Sequence, residues 1–402
     1  VAGRVRLDLQ KIASRSRYRL PVRPNLARAG TGVHRFSHRE PVNAGRDRRL
    51  DSVCGMSEPM PSAFPLRLPE MPLHDPYVVA DAETGLYHLY TANQGFTATA
   101  TGPLSAAGVG TMCYRSPNLR DWAEPVPVFL VKDEDEPWAV HGAWAPEVHA
   151  WNGRWHLFTT LHDTAAPLPV PEPGEYGTPF PVPNYRRSTI VAVADSLTGP
   201  FRMLKPDAPI LPAELMTLDG TLHTDDDGRP WMVYANEWLQ RIDGTIEAFP
   251  LSDKLDAVAG DAVMLFKGSD APWLTRDLPA GVPHQLAPYV TDGPQLYRAP
   301  GGALICLWST YEKNRITDSG IDGDYVQTWA VSPSGRLEGP WEQREPLVRG
   351  DSGHGMLFTT FEGELMLVLH RPFTGARGKL YEMAWDGNDL RVVRQRTDLD
   401  GD

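Results

Sequence analysis

The chain has 402 residues, 41% of them hydrophobic, and a formal net charge of −12; that is apolar material enough for a core, and an acidic body repels nucleic acid and anionic membranes, so neutral partners are expected. With 38 Pro and 36 Gly, the sequence is punctuated for many short strands and turns rather than for long helices. No apolar run approaches the ~20 residues of a membrane span, and three cysteines without metal-ligand spacing suit neither a zinc site nor a disulfide framework, so a reducing, cytoplasmic setting is expected.

Residues 1–55 hold 12 Arg and one Lys against four acids (Asp8, Glu40, Asp47, Asp51), about +9, which leaves about −21 on the remainder. This segment lacks sustained periodicity and has no apolar stretch of the roughly 7–15 residues that a secretory signal requires. Residues 1–60 are read as a disordered Arg-rich extension, with Met56 or Met60 as an alternative start, and residues 61–402 as one folded domain.

The first regular element is “PLHDPYVVADAETGLYHLYTA” (Pro72 to Ala92). It reads as an alternating apolar strand, a turn at Gly85 and a second strand, with Asp75 before Pro76 at its mouth. Further along come “WAPEVHAWNGRWHLFTTLH” from Trp144, “LDGTLHTDDDGRPWMVYANEW” from Leu218, “TDGPQLYRAPGGALICLWSTY” from Thr291 and “GHGMLFTTFEGELMLVLHRP” from Gly353. Each repeats the pattern of strand, Gly turn and strand. Aligning Pro76, Pro146, Gly220, Gly293 and Gly355 puts Asp75, Ala145, Asp219, Asp292 and His354 in equivalent places, at spacings of 70, 74, 73 and 62 residues. Between the copies lie related outer segments, “SPNLRDWAEPVPVF”, “DSLTGPFRMLKPDAPIL” and “SGRLEGPWEQREPLV”, with a looser version in “PLSDKLDAVAGDAVML”. Five such units predict an all-β, five-bladed β-propeller, with “FPLRLPEMPL” offering a strand to close the ring. The Pro-rich “APLPVPEPGEYGTPFPVPNYRR” follows the second strand of unit two and is expected to overhang the mouth, walling a pocket suited to chain ends.

In a propeller the first strands line a central channel, so Asp75, Asp219, Asp292 and His354 are expected to converge. Antiparallel pairing returns the second strands to the same rim and adds Asn93, His162, Asn236, Glu237, Trp238, Tyr311, Glu312 and His370. Carboxylates sharing one pocket split their pKa values, giving an acid and a base at one pH. Breaking a glycosidic bond needs that pair. Trp144 is a stacking platform for a sugar or a core residue. Glu147 faces the channel, to bind substrate or to pair with Arg186 or Arg187. “TDDDG” lacks the spacing of a calcium loop and reads as a hairpin turn.

With these motifs the sequence resembles glycoside hydrolase family 43, five-bladed propellers acting on arabinofuranosides and xylosides, from about Leu73 to Val393. The resemblance implies Asp75 of “HDP” as general base, Asp219 as the residue that tunes the acid's pKa, and Asp292 of “DGP” as general acid. From their places on the rim and channel, Trp144, Glu147, Asn93, Trp238 and His354 are the candidate substrate contacts, and the resemblance implies that His354 of “GHGMLF” lies on the axis, where a calcium or other cation can sit beside it through water. No cofactor is required. An inverting mechanism on a terminal α-L-arabinofuranosyl or β-D-xylosyl residue of an oligosaccharide follows. One departure stands out: the family has “EGP” where this chain has “DGP”, about 1.5 Å less reach. Either the strand sits closer to the sugar, or Glu237 supplies the proton, or the protein binds sugar without cleaving it. A fructan hydrolase or glycoside phosphorylase of a neighbouring propeller group is the remaining alternative.

Overall fold

The computed structural model describes residues 61, 63–93, 98–99, 102–103, 108–172, 183–274, 289–312, 315–317, 320–322 and 325–401. The expected extension, residues 1–60, lies outside them, as do residues 173–182 of the Pro-rich segment. Among the described residues the chain forms five antiparallel four-stranded sheets. Blade 1 runs Tyr77–Asp81, Leu86–Asn93, Gly110–Ser116 and Val126–Leu130. Blade 2 runs His141–Trp151, Arg154–Pro167, Tyr185–Ala194 and Arg202–Met203, and blade 3 runs Thr217–Thr224, Pro230–Asn236, Thr245–Pro250 and Val263–Lys267. Blade 4 comprises Asp292–Arg298, Leu304–Tyr311, Tyr325–Ser332 and Glu342–Val348; blade 5 comprises Gly353–Thr359, Leu365–Arg371, Arg377–Asp386 and Asp389–Gln395. The first strand of each blade touches the first strands of its neighbours, and blade 5 returns to blade 1, so the five-bladed propeller is closed.

The strands of the sequence repeat are buried on both faces, and their alternation sorts side chains between two neighbours. In the second strand of blade 4, Leu304, Cys306 and Trp308 pack toward blade 3, while Ile305 and Leu307 pack toward blade 5. Blade 5 repeats this, with Met366 and Val368 facing blade 1 and Leu367 and Leu369 facing blade 4. Five apolar clusters result, one in each gap between blades. A strand with period 2 and two apolar faces belongs in such a stack.

Ring closure differs from the expectation. “FPLRLPEMPL” adds no strand to a blade; it forms a short 3-10 helix, Leu68–Glu70, and its β-type pairing with blades 1 and 5 is limited to single bridges, Leu66 with Trp122 and Pro72 with Arg377. Three prolines in the segment, Pro65, Pro69 and Pro72, lack the N–H a ladder needs. The segment closes the ring by burial instead: Leu66, Leu68, Met71 and Leu73 fill the gap between blades 5 and 1.

Candidate active site

Each inner strand opens on a local irregularity. Pairing skips Asp219 and Gly220 between Leu218 and Thr221, Gly293 and Pro294 between Asp292 and Gln295, His354 and Gly355 between Gly353 and Met356, and Ala145 and Pro146 between Trp144 and Glu147. Asp75 and Pro76 stand in the same place, just before Tyr77. The first residue of every pair is left-handed: φ is 51° at Asp75, 45° at Ala145, 54° at Asp219, 55° at Gly293 and 51° at His354. Such bulges re-aim a side chain beside a site, and non-glycine residues keep this conformation only where the surroundings impose it. The equivalence expected from sequence is therefore off by one residue in blade 4. Gly293, not Asp292, matches Asp75. Asp292 occupies the preceding position, shared with His74, Trp144, Leu218 and Gly353, and approaches the mouth from a different point.

Asp75 is buried, and three imidazoles converge on its Oδ1: His74 Nδ1 at 3.0 Å, His354 Nδ1 at 3.2 Å and His370 Nδ1 at 3.4 Å. Its backbone N–H also donates to His370 Nδ1 at 3.2 Å. Burial alone would raise the Asp75 pKa, but His354, His74 and His370 outweigh it and hold the carboxyl well below the usual carboxylate range. The carboxyl is therefore ionised, the state a proton acceptor requires.

His354 links the base to the second carboxylate, its Nδ1 lying 3.8 Å from Asp219 Oδ2. The same oxygen accepts the N–H of Gly293 at 3.2 Å, which fastens the blade-4 bulge directly after Asp292. Asp219 is itself held by its backbone N–H, donated to Thr160 Oγ1 at 2.9 Å. Asp292 accepts the hydroxyl of Tyr325 on Oδ2 at 3.0 Å. Burial, then the charges of Asp292, Asp75 and Asp219 and the phenol of Tyr311, push the Tyr325 hydroxyl well above its ordinary pKa. All three expected carboxylates thus bear on one phenol, and they do converge.

Other candidates have different surroundings. Glu237 is buried and ion-paired with Arg187. That guanidinium lies over the rings of Trp144 (4.7 Å) and Tyr185 (5.1 Å) and donates to Tyr185 Oη at 2.8 Å. Trp144 is buried, covered by Arg187 on one side and packed on His162 at 4.5 Å. Asn93 donates its amide to the carbonyl of Gly108 at 2.7 Å. Trp238 begins a four-residue helix, Trp238–Arg241, and is buried. Glu147 lines the channel below the mouth and pairs with neither expected arginine. It bonds to Gln295 and meets His149 Nε2 at 2.9 Å. Burial lifts Glu147 to about 8, against the hydrogen bonds of Thr221 and Gln295 and the charge of His354, while burial holds His149 down to about 3. Near neutrality the protonated form of Glu147 is therefore favoured, beside a neutral His149. The Pro-rich segment is described only at its base, where Asn184 Nδ2 donates to the carbonyls of Pro169 (3.1 Å) and Leu239 (3.2 Å) and ties blade 2 to the blade-3 rim.

Two places invite a metal. Donor atoms of His74, Asp75 and His370 lie within 4.8 Å of one another, but the His370 Nδ1 lone pair already accepts the Asp75 amide. His74 Nε2 meets the carbonyl of Phe373 at 2.9 Å. This cluster reads as a cradle for the base. On the axis, Asp75, Glu147, Gln295 and His354 line a cavity of about 10 Å³. That is room for about one water, whereas calcium needs about six to eight oxygens around it. The channel as it stands does not fit a hydrated calcium ion.

Tyr325, His370 and Arg187 carry more of the site than the repeat alone indicated. Tyr325 opens the third strand of blade 4, Tyr325–Ser332, which lies between the recurring hairpin and the recurring outer segment and belongs to neither.

The model of the glycosyl hydrolases family 43 matches residues 70–384. Among solved structures, an endo-arabinase from Bacteroides thetaiotaomicron is 31% identical with a TM-score of 0.65, covering 81% of this chain and 99% of that one. An endo-1,4-beta-xylanase from the same organism is 20% identical (TM-score 0.57, covering 80% and 94%). A thermostable family-43 glycoside hydrolase is 21% identical (TM-score 0.59, covering 80% and 93%). Among curated proteins none matches.

Proposed function

Since this chain belongs to glycosyl hydrolase family 43 and is a glycoside hydrolase, we propose that it removes terminal pentosyl residues, α-L-arabinofuranosyl or β-D-xylosyl, from oligosaccharides with inversion. Asp75 takes a proton from the water that attacks the anomeric carbon. Asp292 gives a proton to the glycosidic oxygen as its bond to that carbon breaks. Asp219 anchors the bulge after Asp292 and, as a nearby negative charge, favours the protonated acid. The observation that carries this reading is the convergence of Asp75, Asp219 and Asp292 on Tyr325 and His354. Glu237 is disfavoured as proton donor, because its carboxylate is engaged by the buried guanidinium of Arg187. Side chains alone supply this chemistry. Residues 61–402 are proposed to suffice for it, and a cytoplasmic setting accords with the buried free thiols Cys113 and Cys306.

The tie of Asn184 across the blade-2 and blade-3 rims supports a walled pocket. A second reading, cleavage within an arabinan chain, is favoured by the likeness to the endo-arabinase. Products from arabino-oligosaccharides distinguish the two, since monomer alone marks the first. Aryl arabinofuranosides and xylosides, with NMR of the anomer first released, test the chemistry. Asp75→Asn is expected to slow turnover by about 10²–10⁴-fold. Sugar binding by a wild-type protein that hydrolyses nothing would make it a binding module, and a retained anomer would exclude inversion.

A further inference from the structure

An aspartate in the place of the expected glutamate loses reach and one rotatable bond, so its direction has to be fixed by something rigid. Tyr325 is rigid. Its ring is buried, lies parallel to His370 at 5.7 Å, and meets Phe373 and Tyr311 at 5.1 Å each. Gly353 makes room for it, since a Cβ there would collide with the ring. A pinned phenol leaves its hydroxyl one place to be, against Asp292 Oδ2.

Resting on the reading of Asp292 as proton donor, we infer that Tyr325 is a positioning residue for the acid: it holds Oδ2 so that Oδ1 presents the proton to the glycosidic oxygen. A carboxyl swinging free of that hold loses alignment, and misplacement of about 1 Å costs about 10²-fold in rate. The phenol remains a donor because burial and the surrounding carboxylates keep its proton on. Donation to a carboxylate favours the ionised form, so the bond also lowers the pKa at which Asp292 gives up its proton. The groups facing this pair are Asp219 from blade 3, Asp75 before blade 1, Tyr311 on the neighbouring strand, and His354 and His370 from blade 5. The negative charges of Asp75 and Asp219 act in the opposite sense to the phenol.

The experiment compares wild type, Tyr325→Phe and Asp292→Ala on aryl glycosides with good and poor leaving groups, across pH. A poor leaving group needs the acid and a good one does not. Asp292→Ala is expected to lose far more on the poor substrate. Tyr325→Phe is expected to show the same asymmetry, smaller, at about 10–10²-fold, with the alkaline limb of kcat/KM raised by roughly 1 unit. Equal losses on both substrates with an unmoved alkaline limb overturn the assignment while leaving Asp292 as donor. No asymmetry in Asp292→Ala removes the donor reading, and the role of Tyr325 with it. Should Tyr325→Phe fail to fold, 3-fluorotyrosine at position 325, a stronger donor of the same shape, must lower the alkaline limb; an unchanged limb then counts against the inference.

Discussion

Asp75 and Glu147 line one channel, both buried, and burial pushes both carboxyls toward the neutral form, yet they end in opposite states. Asp75 has three imidazoles around one oxygen, whereas Glu147 has an amide, a hydroxyl nearby and a His149 that burial keeps neutral. Partner charge, not depth, separates them. For Glu147 the folded pKa, about 8, lies above the unfolded one near 4.5. The stability it contributes is complete below the unfolded value and is lost as pH climbs to the folded value, because the unfolded chain ionises first. Asp75 works in the other direction, stabilising above the ordinary carboxylate range and failing on acidification. Glu147→Gln keeps a donor for His149 without a titrating group. Thermal melts are expected to show the wild-type Tm falling more than that of the variant between pH 5 and 8, roughly the interval between those pKa values. Parallel curves would mean that Glu147 is not buried as a neutral acid.

A bulge with a left-handed first residue is the element that builds the mouth, used five times with different side chains. It turns one residue per blade out of the ladder, and three of the five place Asp75, Asp219 and His354 within reach of one another. In blade 4 a glycine takes the position because a Cβ on Gly293 would stand 2.8 Å from the His354 ring. Gly293→Ala is therefore expected to displace His354 from both carboxylates, lowering kcat about 10-fold or more and stability by ~1–3 kcal/mol. Ala145→Gly, at a φ of 45°, removes a strained methyl-bearing residue and is expected to leave kcat unchanged with an equal or higher Tm. Equal effects from the two substitutions would show that the bulge does not position the site.

Across the whole molecule, five apolar gaps hold five sheets in register around the channel, and the gap between blades 5 and 1 needs Leu66, Leu68, Met71 and Leu73 to fill it. The clasp leads directly into His74 and Asp75, so the general base proposed above is attached to the ring's seam. Leu68 is fully buried. Leu68→Ala is expected to cost ~2–5 kcal/mol, and thermal inactivation should follow the lowered global melt. Activity lost well below that melt would instead mark the clasp as a unit that opens independently.

Five hairpins of alternating apolar residues, punctuated by Gly and Pro, were enough to reveal the propeller, because strand period and turn chemistry are local properties of the chain. The HDP, LDG and GHG motifs likewise marked Asp75, Asp219 and His354, each standing at a bulge that the sequence signals with Pro or Gly. Spacing could not reveal that blade 4 is displaced by one residue at Asp292, since DGP fits the repeat by its glycine whichever residue bulges. Nor could it pair Glu237 with Arg187, set Tyr325 on Asp292, or turn FPLRLPEMPL into a clasp. Those contacts join side chains from different strands and different blades, and only the radial packing of the sheets brings them within hydrogen-bonding distance.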